Sequence, residues 1–391
     1  MGQEESTLID PSVPPRNLSA RNLDAVADYI KSGKAKRIVV LTGAGISTAA
    51  GIPDFRSPKT GLYHNLARLN LPHAEDVFDI SYFRENPKPF YVLANELYPG
   101  KFHPTISHAF ISLLAKKGLL QMLFTQNIDC LERRAGVPEE KIVEAHGSFA
   151  TQRCIECKTE FPDDLMKEHV FGCKVPRCLE DGCDGLVKPD IVFFGENLPP
   201  RFNDNAPLTT MADLVLIIGT SLTVYPFAGV PEMASPGRPR VLFNMERVGK
   251  IGTRTDDVLH LGPCDAGIRE LAQKLGWDKE LDRHWRSIVG DEEADRQARG
   301  KRDHEQEIED EVEKLVREVE VTLNFEEHAE KKEQEARTED KADDGNGPTL
   351  VKHKSGLKSA EDLPSLVEAR EEESVIAAPE EAEKPSHEVK K

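Results

Sequence analysis

Five short apolar runs, each followed by glycine or polar residues, are the feature that most constrains the fold of this chain. Stretches of helical periodicity, such as residues 106–116, separate them. The predicted strands cover residues 37–41, 120–125, 142–145, 214–218 and 241–244. Strands that alternate with helices form a parallel sheet covered on both faces, the doubly wound, Rossmann-like α/β class. Because such sheets bind ligands where their strands end, we expect a binding site among the polar residues after these runs.

Composition divides the chain into three parts. We expect a flexible N-terminal extension over residues 1–22 and a folded domain over 23–285. That domain contains a helical insertion at 53–104, rich in aromatics and prolines, and a small cysteine-rich module at 148–188. Residues 291–391 hold 32 acidic and 17 basic side chains, so most of the net charge of −18 belongs to them. Such a composition buries too little apolar surface to order a chain, so we expect 286–391 to be a largely disordered acidic tail.

The length of the apolar runs and the composition of the N-terminus indicate in which cellular compartment the chain resides. No run of about eighteen apolar residues occurs, and the first residues are acidic and polar, so we expect neither a membrane span nor a signal peptide. Residues 1–6 fit the short pattern for myristoylation at Gly2, but without basic neighbours any anchoring would be weak. A plain disordered start explains the same residues. We therefore expect no stable membrane association and a reducing compartment.

Four of the seven cysteines have the spacing of a zinc site. Two residues separate Cys154 from Cys157, and Cys178 and Cys183 follow as a second pair. Two such turns bring four thiolates to one tetrahedral zinc, and four sulfurs leave no open position, so the metal would be structural. The alternative is a set of unrelated buried thiols. Cys173 competes for the third position, and we prefer Cys178 because it shares a tight turn with Cys183.

The segment from Gly43 to Arg56 contains a glycine turn directly after the first predicted strand. In this context backbone N–H groups can hold a pyrophosphate at the start of a helix. The turn departs from the usual dinucleotide fingerprint, because Thr48 stands where a third glycine belongs. No acidic residue ends a strand about twenty positions later, as it would in an NAD dehydrogenase. The turn indicates a nucleotide site and argues against simple hydride transfer.

His146 follows a predicted strand, and Gln126, Asn127 and Asp129 follow a neighbouring one. Imidazole exchanges a proton readily near neutral pH and is the commonest general base. A lone histidine is more often structural, but the polar cluster at the adjacent strand end favours a catalytic role here.

Several motifs in one order resemble those of the sirtuins, and the resemblance spans residues 23–280. The motifs are GAGISTAAGIPDFRSPKTGLY at 43–63, TQNID at 125–129, HG at 146–147, the four cysteines, KPDIVFFGE at 188–196 and GTSL at 219–222. The chain is most similar to the class I branch, which includes mainly cytosolic, fungal-type members. Its departures are Ala49-Ala50, Cys130 after TQNID, and four residues rather than two between the last zinc cysteines.

The resemblance implies an NAD-dependent protein-lysine deacetylase, or deacylase, with a sirtuin catalytic domain over 23–285. The products would be nicotinamide, free lysine and acyl-ADP-ribose, with NAD as co-substrate and Zn²⁺ as a structural ion. Asp129 and the Ile128 backbone would hold the nicotinamide, with Ala44, Ile52 and Phe55 around it. Asn127 would order the ribose or a water, and His146, with Gln126 nearby, would deprotonate a ribose hydroxyl.

The resemblance also implies the residues that bind NAD and the acyl-lysine substrate. The cofactor residues would be Gly43, Ala44, Gly45, Ile46, Ser47, Thr48, Asp54, Phe55, Arg56, Gln126, Asn127, Ile128, Asp129, Gly219, Thr220, Ser221, Asn244, Met245, Glu246 and Cys264. The substrate residues would be Val192, Phe193, Phe194, Gly195 and Glu196. This extended apolar segment can pair with a peptide as an added strand, with its aromatic side chains around the acyl-lysine. An ordinary core strand is the alternative.

Two other functions fit parts of the sequence. Mono-ADP-ribosyl transfer to a protein shares the first chemical step. A non-catalytic, zinc-stabilised binding module would need none of Asn127, Asp129 and His146, whose joint presence argues against it. We expect acylated proteins, including histone tails, as partners, and no direct binding of nucleic acid.

The acidic tail contains a candidate amphipathic helix at 303–322, with Ile308, Val312, Leu315 and Val319 on one face. It could form a nuclear export signal, could dock on the catalytic domain or a second copy and so permit self-association, or could have no role. We expect a regulatory appendage outside the active site and a cytoplasmic enzyme with access to the nucleus.

Overall fold

A computed structural model describes residues 7–53 and 73–299 of the chain. The strands within these ranges are β1 Ile38–Thr42, β2 Leu120–Thr125, β3 Ile142–Glu144, β4 Gly147–Cys154, β5 Val187–Ile191, β6 Leu214–Ile218, β7 Arg240–Asn244 and β8 Asp257–Leu261. The α-helices within them are α1 Leu23–Lys31, α2 Ile80–Glu85, α3 Lys88–Leu97, α4 Ile106–Lys116, α5 Leu131–Arg134, α6 Asp163–Phe171, α7 Pro200–Asn205, α8 Cys264–Leu275, α9 Asp278–Val289 and α10 Asp291–Ala298.

Six strands form one parallel sheet in the order β3-β2-β1-β6-β7-β8. The chain builds outward from β1 on one side and from β6 on the other, so the strand order reverses between β1 and β6. Doubly wound sheets bind ligands in the crevice outside the strand ends at this point. The predicted doubly wound, Rossmann-like class is therefore confirmed, and the switch point lies where the glycine turn follows β1.

Alternate residues of the parallel strands enter two different cores. In β1, Ile38 and Val40 pack with α1, α4 and α8 on one face. Val39 and Leu41 pack on the other face with α7 and the irregular chain that precedes β7. Strands buried on both faces read as continuous apolar runs, which is why five of the six were recognisable in the sequence.

Within the six-stranded sheet, β8 is the strand that the apolar runs did not predict. Its sequence, DVLHL, lies at the edge of the sheet, and its last residues are partly exposed. An edge strand with polar residues lacks the continuous apolar pattern of a central one.

The segment before α1 is held against the sheet rather than free, which differs from the flexible extension that we expected. The carboxylate of Asp256 accepts hydrogen bonds from the backbone N–H groups of Arg16, Asn17 and Leu18 at 3.1, 2.7 and 2.9 Å. Leu18 is buried in the core beside α1. A carboxylate that satisfies three backbone donors fixes a segment that has no regular structure of its own.

The small module and the described part of the helical insertion share a third apolar core. Strands β4 and β5 pair antiparallel, and α6 packs beside them. Phe83 and Phe90, from α2 and α3, contact the Phe193 ring edge-on with centroids 5.4 and 5.0 Å apart. This core joins the module to the described helices of the insertion through Phe193, which follows β5.

Packed structure continues past residue 285, where we expected the folded domain to end. Helix α10 buries Ala294 in the main core. Arg296 and Gln297 donate to the carbonyls of Ala50 and His103 at 3.0 and 3.3 Å. The rest of the proposed tail, with the candidate helix at 303–322, lies outside the described residues. Within residues 7–53 and 73–299 the helices are too short or too polar to cross a bilayer.

Candidate active site

The loops that follow β1, β2, β3 and β6 meet at the switch point of the sheet. The N–H of Gln126, after β2, donates to the Thr42 carbonyl of β1 at 3.1 Å. On the other side, Gly43 donates to the Ile218 carbonyl at the end of β6 at 3.3 Å. Parallel strands all present their carboxyl ends at one edge, so residues far apart in the sequence become neighbours there.

Three glycines allow the loops after β1 and β6 to touch. A Cβ added to Gly45 would lie 2.7 Å from Gly219 Cα, and one added to Gly43 would lie 2.8 Å from the Gly219 carbonyl oxygen. Gly219 itself has φ +59°, which favours glycine. The loops are joined by a hydrogen bond from Gly45 N–H to the Gly219 carbonyl at 2.9 Å. Side chains at these positions would force the crevice apart.

The glycine turn continues into two short 3₁₀ turns, Ala44–Ile46 and Thr48–Ala50, rather than into the α-helix that we considered. Gly51, with φ +101°, ends the second turn. The loop is also held from below, since Thr105 Oγ1 donates to the Ile46 carbonyl at 2.9 Å and Cys264 Sγ lies 3.2 Å from the Gly45 carbonyl. The turn is thus a rigid, internally hydrogen-bonded loop rather than the start of a long helix.

His146, Gln126 and Thr220 connect three strand ends. His146 Nδ1 lies 3.1 Å from the Gln126 carbonyl oxygen. A carbonyl can only accept, so Nδ1 carries the proton and the basic lone pair of the neutral ring lies on Nε2. The Gln126 side chain donates in turn to Thr220 Oγ1 at 2.6 Å. This arrangement fixes the tautomer of the His146 ring.

Asn127, Ser47 and Asp129 form a second connected group beside the first. Ser47 Oγ donates to Asp129 Oδ2 at 2.7 Å, and Asn127 Nδ2 lies 3.3 Å from Ser47 Oγ. The N–H of Leu131 donates to the other carboxylate oxygen of Asp129 at 2.9 Å. Burial raises the pKa of Asp129, and these two hydrogen bonds act in the opposite direction. The group joins the loop after β1 to the loop after β2.

Beneath Asp129 lies a buried polar cluster that sequence reasoning missed. One ligating atom from each of His108, Asp129 and Glu132 lies within 4.8 Å of the others. Glu132 is 2% exposed, and burial, together with the negative charge of Asp129, raises its pKa to about 8. Burial lowers the pKa of His108 to about 3. The cluster therefore holds a neutral imidazole and two carboxyl groups that disfavour each other's ionisation.

The remaining proposed cofactor residues occupy the far side of the crevice or its underside. Ser221 and Met245 are exposed after β6 and β7, and Asn244 Nδ2 donates to the Glu246 carbonyl at 2.9 Å. Cys264 begins α8 and is buried under the Gly43–Ser47 loop, where burial raises its pKa. Asp54, Phe55 and Arg56 lie outside the described residues. Ile52 is half-buried at the end of the described part of the loop.

The Val192–Glu196 segment is partly paired inside the protein already. Val192 N–H donates to the His146 carbonyl at 2.8 Å, and Phe194 N–H donates to the Phe78 carbonyl at 2.7 Å. Phe193 is 1% exposed and belongs to the aromatic core, whereas Phe194 is 44% exposed. The core-strand interpretation therefore describes Phe193, and only Phe194 of the two rings is available to a ligand.

The four predicted zinc cysteines come together at the end of the β4–β5 pair. Cys154 and Cys183 place their sulfurs 3.6 Å apart, and Cys157 and Cys178 place theirs 3.5 Å apart. Sulfurs about 2.3 Å from a tetrahedral zinc lie about 3.8 Å from one another, so the group fits a closed structural zinc site. Cys173 is not part of the group, and its sulfur instead accepts a hydrogen bond from Asn95 at 3.4 Å. A Cβ on Gly185 would lie 2.6 Å from Cys154 Sγ, so glycine is required beside the sulfurs.

Comparisons with known proteins agree with this arrangement. The model of the Sir2 family matches residues 43–226. The chain is 55% identical over 326 residues to the NAD-dependent protein deacetylase hst2-1 of Emericella nidulans, which covers 83% of this chain and 90% of that protein. It is 53% identical over 266 residues to the NAD-dependent protein deacetylase hst2 of Schizosaccharomyces pombe, covering 68% and 80%.

A vertebrate protein shows the same likeness. The NAD-dependent protein deacetylase sirtuin-2 of Danio rerio is 49% identical over 285 residues, covering 68% of this chain and 75% of that protein. Identity of this extent over most of both chains, on a doubly wound sheet with a four-cysteine module, leaves one conclusion. The chain belongs to the Sir2 family, the sirtuins.

Proposed function

We propose that this protein is an NAD-dependent protein-lysine deacetylase that transfers the acyl group to ADP-ribose and releases nicotinamide and free lysine. One observation carries the proposal. At the switch point, His146 lies in one hydrogen-bonded group with Gln126, and Asn127 and Asp129 lie in an adjoining one. The relatives named above, each an NAD-dependent protein deacetylase, support the same activity.

The Asp129 group suits the nicotinamide end of NAD. When bound, NAD supplies an electrophilic anomeric carbon and the nicotinamide leaving group. Asp129 accepts from Ser47 and Leu131, which fixes the orientation of its carboxylate. A carboxylate held in this way would accept a hydrogen bond from the carboxamide N–H₂ of nicotinamide. The resemblance also assigns the Ile128 backbone, Ala44 and Ile52 to the nicotinamide end. Asn127, whose side chain lies beside Ser47, orders the ribose or a water.

His146 suits proton transfer from a ribose hydroxyl. Its Nδ1 donates to the Gln126 carbonyl, so Nε2 is the nitrogen that can accept a proton. The Phe227 ring lies with its centroid 6.3 Å from the imidazole and shields one side of it. Because Gln126 also contacts Thr220, the base is positioned against both halves of the sheet.

The backbone of the Gly43–Ser47 loop suits the phosphates of NAD. Gly43, Gly45 and Gly219 let the two loops pack directly against each other, which holds the Gly43–Ser47 loop in one shape for the phosphates. The resemblance also assigns Asp54, Phe55 and Arg56, which lie outside the described residues, to cofactor binding. Thr220, Ser221, Asn244, Met245 and Glu246 would hold the adenosine end, and Cys264 would support the loop from below.

The acyl-lysine substrate would bind along the Val192–Glu196 segment. The half-exposed Phe194 ring supplies an apolar wall for a neutral acyl-lysine. Since Val192 and Phe194 already use their N–H groups within the protein, an incoming peptide would pair with the Gly195 end of the segment. Basic, extended histone tails are compatible with such pairing.

A cytoplasmic enzyme with access to the nucleus is consistent with the cysteine chemistry. A reducing compartment keeps such a group of four cysteines as thiols that can bind zinc. We infer that acylated proteins of these compartments are the substrates. Fractionation of cells followed by immunodetection of the full chain tests the location.

One assay tests the function. Purified protein is incubated with NAD and an acetyl-lysine peptide, and nicotinamide, free-lysine peptide and acetyl-ADP-ribose are quantified by mass spectrometry. We expect the three products in equal amounts. Label from NAD on protein, without peptide deacetylation, would indicate ADP-ribosyl transfer, and no product from zinc-loaded, folded protein would indicate a binding module.

A further inference from the structure

Lys188 is a buried cation next to the segment that we assign to the substrate. It lies in β5, in the KPD part of the motif, and is 6% exposed. Its ammonium donates to the carbonyl oxygens of Ile191 at 2.6 Å and Pro189 at 3.3 Å. It also lies 4.6 Å from the centroid of the Phe193 ring. A lysine in such a place is costly unless its charge is compensated.

Glu196 provides that compensation. Its Oε2 lies 3.0 Å from Lys188 Nζ. The same oxygen accepts the backbone N–H of Phe193 at 2.9 Å, while the Glu196 N–H donates to the Phe193 carbonyl at 2.9 Å. One carboxylate therefore closes a four-residue turn from Phe193 to Glu196 and ties it to the ammonium.

The turn is held at its other points by backbone contacts. Phe194 pairs with Phe78 and Ile80 through its N–H and carbonyl, at 2.7 and 3.1 Å. Gly195 has φ +92°, and a Cβ there would lie 3.0 Å from the Ile80 side chain. These contacts fix the middle of the turn but not the direction of its Glu196 end. Among the described contacts, the link to Lys188 is the one that joins that end to β5.

A buried ion pair is weak evidence for stability, because apolar residues of similar size often stabilise as well. Burial lowers the pKa of Lys188, whereas the charge of Glu196 and its hydrogen bond raise it. The charged form of Lys188 is therefore stabilised by Glu196. The contacts of this pair all lie within or next to the Phe193–Glu196 turn. A role in positioning that turn explains them better than a contribution to stability alone.

We propose that Lys188 is a positioning residue for the acyl-lysine peptide, whose ammonium holds the Phe193–Glu196 turn through Glu196 in the shape that the peptide meets. This inference rests on the proposed function, because it assumes that the segment binds substrate. A turn that is shaped before binding spares the peptide the cost of ordering it. Loss of the ammonium would then weaken peptide binding and leave NAD binding unchanged.

The test compares Lys188→Met, Lys188→Arg and Glu196→Gln with the wild-type full chain. We expect Lys188→Met to raise the KM for an acetyl-lysine peptide about tenfold, the effect of losing one charged hydrogen-bond contact. The KM for NAD and the zinc content should stay at the wild-type values. Lys188→Arg should restore most of the peptide affinity, and the double variant of Lys188→Met with Glu196→Gln should be no worse than Lys188→Met alone.

Arg153→Met is the matched control. Arg153 forms an ion pair with Asp190 at 2.7 Å across the same two strands but does not contact the turn. It should leave the peptide KM unchanged. An unchanged peptide KM in folded Lys188→Met, or a parallel rise in the KM for NAD, would overturn the proposal.

A binding measurement separates failure of this inference from failure of the proposed function. Fluorescence anisotropy gives the Kd of a labelled acetyl-lysine peptide, with the unacetylated peptide for comparison. If the wild-type protein binds the peptide without turning it over, the proposed activity is wrong but the Kd of Lys188→Met still decides the inference. If the wild type does not bind the acetylated peptide more tightly than the unacetylated one, the segment is not a substrate site. The proposed function and this inference are then both wrong.

Discussion

At the scale of single residues, the proposed general base is His146, whose Nδ1 donates to the Gln126 carbonyl. Replacing His146 by alanine removes the acceptor at Nε2 without disturbing the glycine loops. We expect turnover to fall by about 10²–10⁴-fold, as for the loss of a general base. The Kd for NAD and the urea midpoint should remain those of the wild type. Steady-state deacetylation, calorimetric NAD titration and urea unfolding measure the three quantities, and near-normal turnover or an equal loss of NAD affinity would show that His146 is not the base.

Glu132 gives the fold a dependence on pH that can be predicted in sign. Burial and Asp129 raise its pKa to about 8, whereas a glutamate in an unfolded chain has a pKa of about 4.3. Between these values the folded state binds a proton that the unfolded state has lost. Stability is therefore complete below the lower pKa and declines as the pH rises toward the higher one.

Glu132→Gln removes this ionisation. Its free energy of unfolding, relative to the wild type, should increase steadily between about pH 5 and pH 8. Urea unfolding in buffers containing zinc measures the difference. Glu140→Gln, at an exposed position, is the control and should show a constant difference. A constant difference for Glu132→Gln as well would mean that Glu132 is ionised in the folded protein.

The two groups of residues show how far sequence reasoning reaches at this scale. His146, Asn127 and Asp129 could be expected to lie together, because each directly follows a strand of a parallel sheet. Glu132 and His108 could not, since neither stands at a strand end. Glu132 lies in the short helix α5 and His108 in α4, and only the packing of these helices under β1 and β2 turns them inward. From the sequence LERR alone, Glu132 would be predicted to be exposed.

At the scale of elements, the zinc module offers a choice between two cysteines. Cys178 Sγ lies 3.5 Å from Cys157 Sγ, whereas Cys173 Sγ contacts Asn95. Cys178→Ser should reduce zinc to below one ion per chain and unfold the module, because metal binding and folding are coupled. Cys173→Ser should keep one ion per chain. Metal analysis and near-UV circular dichroism test both, and loss of zinc from Cys173→Ser alone would reverse the assignment.

Elements with continuous apolar sequence were predictable, and those defined by polar contacts were not. The strands β1, β2, β3, β6 and β7 needed only their own residues to be recognised. The segment before α1 is ordered by Asp256, which lies about 240 residues later in the chain. The sequence allowed a helix after the glycine turn, but Gly51 ends the turn after two 3₁₀ turns. Both differences arise from tertiary contacts or local backbone geometry that periodicity does not report.

At the scale of the whole molecule, charge and folding divide the chain at different places. Acidic residues become dominant from about residue 291, which suggested that the folded part ends near 285. Helix α10 nevertheless packs on the core, although its first turn contains Asp291, Glu292 and Glu293. Glu293 pairs with Arg296 at 2.7 Å, and Ala294 faces inward. Acidic residues at a helix start are favourable there, so a charged composition did not imply disorder.

The position of α10 predicts where the chain can be shortened. Arg296 donates to the carbonyl of Ala50, at the end of the 3₁₀ turns that carry Ser47, and Gln297 donates to the carbonyl of His103. A chain ending at residue 299 keeps both contacts and should deacetylate peptide with the kcat and NAD KM of the full chain. A chain ending at residue 290 loses them together with the burial of Ala294. Its free energy of unfolding should fall by about 2 kcal/mol, the sum expected for two hydrogen bonds.

The shorter chain should also bind NAD more weakly, because the Ala50 end of the cofactor loop is then no longer tied to the core. Arg296→Ala in the 299-residue chain removes the contact with Ala50 together with the Glu293 ion pair, keeps the Gln297 contact, and should give an intermediate NAD KM. Urea unfolding and NAD titration of the three proteins rank them. If the 290-residue chain equals the 299-residue chain in both, α10 belongs to the dispensable tail. If the 299-residue chain is folded but inactive, residues beyond 299 are part of the catalytic machinery and not a regulatory appendage.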